Sequence, residues 1–245
     1  MSKRLIMVCC VIGICIVVFY SCNKVHDVSL KRFCRIEMVM GYTFYDSAVP
    51  RYFKYNRWDN PIRVAFDDSP GTGTPFYDFF YDDNQRLIRF EEFESHNYTY
   101  NEKGLAIIDT IFSGYAGGDF RFEEKLIYDD QDRIIKTIKK LYRAAETPTS
   151  PPDDNPDLGV ENITEYNYDS NGNLIREGVV YDRKVNPHRT NKVWMLVDKD
   201  YSMNNPLPGP TQYNQLGLPL NNIGFLDYSA AEVIYNCKFV ELPRK

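Results

Sequence analysis

A chain of 245 residues, 43% hydrophobic and 26% charged, is long enough to bury a sizeable core and too apolar to be mostly disordered. Its formal net charge of -5 and its lack of any basic run exclude the electrostatic footprint of a nucleic-acid binder. The 19 Tyr, 15 Phe and 2 Trp point to strands, because aromatic side chains fit a pleated, half-buried surface.

The first elements in chain order are an address. Lys3 and Arg4 precede an uncharged stretch from Leu5 to Tyr20, and Ser21-Cys22 follows. A charged start, a short apolar stretch and a small residue before the cut describe a secretory signal, and the stretch is short of the roughly 20 apolar residues a spanning helix needs. The Ser-Cys ending resembles the lipobox of bacterial lipoproteins, in its looser Bacteroidota form, with Phe19 and Tyr20 where the stricter pattern carries Leu and a small residue. That resemblance implies a signal over residues 1-21 and lipidation of Cys22 as the mature N-terminus. It also implies attachment to the membrane through the lipid, most naturally the outer membrane. Lys24, Lys31 and Arg32 with a lone Asp27 follow the cysteine, where surface-exported relatives carry an acidic run, so the expectation leans to the periplasmic side.

Once the signal is removed and Cys22 is lipidated, Cys34 and Cys237 are the remaining cysteines. Cys34, Ile36, Met38 and Met40 alternate with polar residues, and so do Val233, Tyr235, Cys237 and Phe239. Both segments therefore read as strands with one face toward the core. An oxidising envelope permits a disulfide between the two, worth about 4 to 5 kcal/mol on the chain-entropy model; two buried thiols are the alternative.

The body of the chain repeats one short unit: YNRWDNPI from Tyr55, YDDNQRLI from Tyr81, YNEKGLAI from Tyr100, YDDQDRII from Tyr128, YDSNGNLI from Tyr168 and YNQLGLPL from Tyr213. In each a strand ends at tyrosine, Asp, Asn and Gly populate a turn, and an apolar pair begins the return. In the fifth copy Tyr166 and Tyr168 are expected to face Leu174, Ile175, Val179 and Val180 across the pair. The YDxxGxL grammar resembles the YD repeat of bacterial wall-associated and Rhs-type proteins, and the mature chain resembles Bacteroidota lipoproteins with degenerate YD-like repeats. Tyr100 to Leu105 and Tyr168 to Ile175 match best. Elsewhere Arg86, Arg133 and Asn60-Pro61 replace the glycine in this alignment.

Residues 133-146 place Ile135, Ile138, Leu141 and Tyr142 at helical spacing, yet they follow a repeat turn, which favours a strand. Residues 146-157 form a Pro- and Asp-rich loop inserted without breaking the domain. Residues 186-206 form the most distinctive non-repeat stretch. Val193 to Val197 read there as a strand apolar on both faces, with Trp194 and Leu196 to one side. Its flanks, His188, Arg189, Asp198, Asp200 and Tyr201, offer with Trp194 a candidate recognition surface. The simpler reading is a core strand with polar ends.

The carboxylates sit in turns, where solvation explains them. DSNGNL lacks the glycine and glutamate positions of a calcium loop. His26, His96 and His188 have no ligand spacing, and neither a nucleophile triad nor a phosphate loop is visible. No metal or cofactor is therefore assigned. Asp46-Ser47-Ala48 and Asp109-Thr110-Ile111 match the short acceptor triplet for O-glycosylation in Bacteroidota.

These observations predict an all-β antiparallel meander of hairpin repeats forming a twisted, curved sheet, a single domain over residues 22-245. The expected role is a non-catalytic binding or scaffold module at the cell envelope, with an envelope protein or a glycan as partner. A carbohydrate-processing accessory or enzyme is the alternative, since paired carboxylates meet in space rather than in sequence.

Overall fold

Each repeat turn is built by one side chain. The computed structural model describes residues 31-42, 48-66, 76-113, 120-143, 161-207, 209, 211-226 and 228-240. In all six copies the Asp or Asn after the tyrosine donates its N-H to the carbonyl four residues on, and its own carbonyl accepts from the N-H three residues on. Its side-chain oxygen also accepts backbone N-H groups inside the loop: Asp169 Oδ1 from Asn171 (2.8 Å) and Asn173 (2.8 Å), and Asn214 Oδ1 from Leu216 (2.9 Å) and Leu218 (3.0 Å). Such self-bonding is why Asp and Asn, rather than Glu or Gln, hold that place.

The turn closes through one left-handed residue, a one-residue bulge that matches strand twist. Gly104, Gly172 and Gly217 occupy it in three copies, and Asp59 (φ 59°), Gln85 (φ 61°) and Asp132 (φ 58°) in the others. This corrects the alignment read from sequence: glycine is replaced by Asp59, Gln85 and Asp132, and Asn60, Arg86 and Arg133 stand one place later.

Four copies become full hairpins. β1 (Lys31–Tyr42) is followed by the pairs β2 (Ala48–Tyr55) and β3 (Pro61–Ala65), β4 (Tyr77–Tyr81) and β5 (Leu87–Glu91), β6 (Glu94–Tyr100) and β7 (Ala106–Ser113), and β8 (Phe120–Tyr128) and β9 (Ile134–Arg143). Then come β10 (Glu161–Glu165), β11 (Tyr181–Val185), β12 (Asn204–Pro206), β13 (Ile223–Phe225) and β14 (Tyr228–Val240). Twelve strands form one antiparallel sheet in the order β10-β9-β8-β7-β6-β5-β4-β3-β2-β1-β14-β13, and β11 pairs with β12 apart from it. The fold is thus the all-β meander expected, not closed into a barrel, and residues 134-143 are strand.

The fifth and sixth copies depart from expectation. Each keeps its turn but contributes only one bridge, Tyr168 to Leu174 and Tyr213 to Pro219. Val179 and Val180 do not pair back, because a turn closed by Val179 N-H on Arg176 O (3.2 Å), with Gly178 left-handed, carries the chain away.

Alternation makes the sheet two-sided. Phe53, Val64, Tyr77, Phe79 and Phe90 are buried on one face, with Tyr77 and Phe79 stacked on Phe90 at 5.6 and 5.1 Å between centroids. The other face carries cross-strand charge, in the register Lys54-Arg63-Asp78-Glu91, with Arg63 3.5 Å from Asp78. In β1, Cys34 and Ile36 are buried, but farther along Val39, rather than Met38 or Met40, is the buried residue.

Val193 to Val197 are helical, which corrects the predicted strand. Asn186 caps a 3₁₀ turn, Pro187–Thr190, and Asn191 caps α1 (Lys192–Val197) by accepting from Val193 N-H at 2.9 Å. A short apolar run is ambiguous between strand and helix, and here the two capping asparagines decide. α1 inserts Trp194, fully buried, edge-on against Phe53 (5.6 Å) and Phe79 (5.5 Å).

Residues 35-236 cluster as one compact unit. In the smaller remainder Cys34 and Cys237 are joined by a disulfide, with Cα atoms 4.0 Å apart. The signal at 1-21, Cys22 and the loop at 146-157 lie outside the described residues, as does most of the triplet at 46-48. The triplet Asp109-Thr110-Ile111 lies within β7 with Asp109 and Ile111 buried, an unsuitable place for an acceptor.

Candidate functional site

Four of the six repeat tyrosines, together with Tyr181 and Tyr235, tie neighbouring units together. Hydroxyls of Tyr55, Tyr81, Tyr100, Tyr168, Tyr181 and Tyr235 donate to the carbonyls of Ile36 (2.7 Å), Pro61 (2.5 Å), Leu87 (2.6 Å), Ile134 (3.0 Å), Leu174 (2.6 Å) and Pro219 (2.9 Å). Apart from Ile36, each acceptor stands six residues after an earlier repeat tyrosine. Burial pushes these phenols well above their ordinary range, so they remain protonated donors.

A second regularity lies over the tyrosine rings. Arg35, Arg86 and Arg133 place their guanidinium groups 5.0, 5.0 and 4.2 Å from the centroids of Tyr55, Tyr100 and Tyr168. Arg86 and Arg133 stand in the fifth position after a repeat tyrosine and are fixed by Asp82 and Asp129, Nε to Oδ2 at 2.7 and 2.8 Å. In the third copy that position is Leu105, which brings no cation to the next ring, Tyr128.

At that place a pocket of about 710 Å³ opens beside the third and fourth turns. Half-buried Leu105, Ile107, Ile127 and Tyr128 line it, and exposed Lys125 and Asp132 stand among the charged groups around it. Burial pushes the Tyr128 phenol up to about 12, and its hydroxyl accepts from Tyr201. The surface therefore offers apolar contact and a neutral phenol between charges of both signs, a combination suited to recognition.

The six residues singled out in sequence do not form an exposed surface. Trp194, His188 and Asp200 are buried, Asp198 and Tyr201 are half-buried, and Arg189 is exposed. Five consecutive residues instead fasten the α1 segment to different partners. Asp198 Oδ2 lies 2.5 Å from His188 Nε2; Lys199, left-handed at φ 51°, lies 3.0 Å from Glu124; Asp200 accepts from Arg176 at 3.3 Å. Tyr201 bonds Tyr128, and Ser202 Oγ accepts from Leu174 N-H at 3.0 Å.

Electrostatics hold these charges in place. Burial disfavours the His188 imidazolium, but the charge and bond of Asp198, with Asp200 behind, outweigh it and raise its pKa. At Lys199 burial again works against the charge, and Glu124 and Asp109 outweigh it. Asp109 also bonds His96, Oδ2 to Nδ1 at 2.9 Å. Buried charge is costly unless paired, and this pairing directs the side chains to packing. Among the described residues no cluster of His, Cys, Asp or Glu is placed to hold a metal.

Fold and pocket define a repeat-built, all-β meander protein in which the third copy brings Leu105, rather than an arginine, to the next tyrosine. No family model matches the chain, and no curated protein matches it. The signal that pointed to the pocket was legible in sequence as the Arg-to-Leu change at position 105, but only once the turns were in register.

Proposed function

We propose that the protein is a lipid-anchored module of the cell envelope, non-catalytic, that binds an envelope partner or scaffolds it through the pocket beside the third and fourth turns. One observation carries the reading: Leu105 stands where Arg86 and Arg133 cap the next tyrosine, so the repeat leaves Tyr128 with an open apolar surround. The leader ending in Ser21-Cys22 supports attachment through lipid on Cys22, to the outer membrane and facing the periplasm. A second reading, a carbohydrate-processing accessory, is favoured by Glu102, Asp129 and Asp132 lining the same pocket beside an aromatic ring.

The test is crosslinked capture of the mature protein from envelopes of its own host, beside Cys22→Ala and Leu105→Arg. Arginine is already accommodated at the equivalent position in two repeats, so the second variant closes the pocket without a foreign element. Loss of one dominant protein partner in both variants is the expected result. Glycan fragments in its place transfer the site to the second reading, and capture indifferent to Leu105→Arg overturns the pocket as the site.

A further inference from the structure

We infer that the outer edge of β10 is a β-augmentation site for an extended partner segment in which an apolar residue is flanked, two places to either side, by lysine or arginine. The inference concerns a site apart from the pocket and does not depend on it.

The edge exists because the fifth repeat is truncated. In the first four copies the chain after the turn becomes a full strand, whereas in the fifth it peels away after Ile175 and β11 pairs with β12 instead. Among the described residues β10 is consequently the last strand of the sheet. Backbone bonding shows which groups it leaves outward. Tyr166 N-H donates to Ile135 O of β9 at 2.8 Å, while Ile175 N-H donates to Asn167 O from the opposite side at 2.7 Å. Backbone polar groups alternate along an antiparallel strand, so Asn162 and Thr164 address β9, and Ile163 and Glu165 address the open side.

Neither proline nor a bulge in β10 blunts that edge. It has no proline, its register with β9 runs without a bulge, and Asn162, Ile163, Thr164 and Glu165 are all exposed, Ile163 by 50%. Proline and bulges are usual protections against added strands, and the charge that β10 does carry selects a cationic partner. The partner's chemistry follows from what β10 already accepts on its other side, where Glu165, Ile163 and residue 161 stand in register with Lys136, Ile138 and Lys140. A second copy is disfavoured, because an antiparallel pair centred on Ile163 sets glutamate 165 opposite glutamate 161 at both ends.

The probe is a blocked peptide carrying the sequence of residues 136-140, Lys-Thr-Ile-Lys-Lys, added to the mature protein. Amide exchange at Ile163 and Glu165 is expected to slow roughly tenfold at saturating peptide. Ile163→Pro removes an outward N-H while sparing the bonds to β9, a position where edge strands tolerate proline. It is expected to abolish the protection with the melting temperature unchanged, and Glu165→Lys to weaken it; Leu105→Arg leaves it intact. The inference is overturned if Ile163 and Glu165 are already protected in the free protein, if protection grows with protein concentration alone, or if saturating peptide protects neither amide.

Discussion

The Tyr100 hydroxyl donates to the Leu87 carbonyl at 2.6 Å, across a junction between two repeats. The same bond recurs from unit to unit, so the tyrosine of the repeat both packs in the core and satisfies a main-chain oxygen that the strand bulge leaves free. Replacing Tyr100 by Phe keeps the packing and strands that oxygen. A loss of about 1 to 2 kcal/mol in denaturant unfolding is expected, against no measurable change for Tyr52→Phe on the exposed face.

Asp132 occupies the left-handed position that glycine fills in three other copies. It is exposed, and none of the turn's bonds runs through its side chain. Left-handed backbone costs a side-chain-bearing residue about 1 kcal/mol relative to glycine. Asp132→Gly is therefore expected to raise the unfolding midpoint by a comparable stability, measured by urea titration.

Three turns are closed by Asp82, Asp129 and Asp169 and three by Asn56, Asn101 and Asn214. At Asp82 and Asp129 partial burial opposes ionisation, but the bonds from the Arg86 and Arg133 backbones and side chains outweigh it; at Asp169 the Asn173 N-H leads. All three carboxyls sit below their ordinary range. The folded state then binds fewer protons than the unfolded one. The stabilisation is complete above about pH 4 and lost as pH falls through the lowered folded values. Asn at all three positions is expected to lower the melting temperature at neutral pH and to flatten its acid limb, so that the two proteins converge at low pH.

The His188-Asp198 pair acts in the opposite sense. A raised imidazole pKa means the folded state holds its proton longer, so the contribution is complete below about pH 6.5 and lost as pH rises through the higher folded value. A melting temperature that declines on the alkaline side, with the decline removed in Asp198→Asn, is the expected result by calorimetry. Both ring nitrogens face oxygen acceptors, Nδ1 toward Asn186 Oδ1 at 2.8 Å and Nε2 toward Asp198, which is the arrangement a doubly protonated ring requires.

By itself the sequence determined the class of fold, because strand ends and turns are local chemistry. Six tyrosines followed by Asp or Asn, each with its left-handed residue three places later, specify hairpin turns within a span of eight residues. The alternating burial of β1 at Cys34 and Ile36 and of β14 at Val233 is local in the same way. Only the tertiary structure decided the rest. The fifth of the six turns yields no strand pair, since Gly178 and the turn at Arg176 turn the chain away before register is set. The run from Val193 to Val197 is equally apolar as strand or helix, and it became helix through two asparagine caps and the space between Phe53 and Phe79 that Trp194 fills. His188 and Asp200 read as exposed polar flanks but are buried, because Asp198, Arg176 and Ser202 reach them only after the segment lies against the sheet. The uncapped Tyr128 and the open edge of β10 are relations between residues far apart in the chain, made by register between strands; the local trace of the first, Leu105 in place of arginine, acquires meaning only once that register is known.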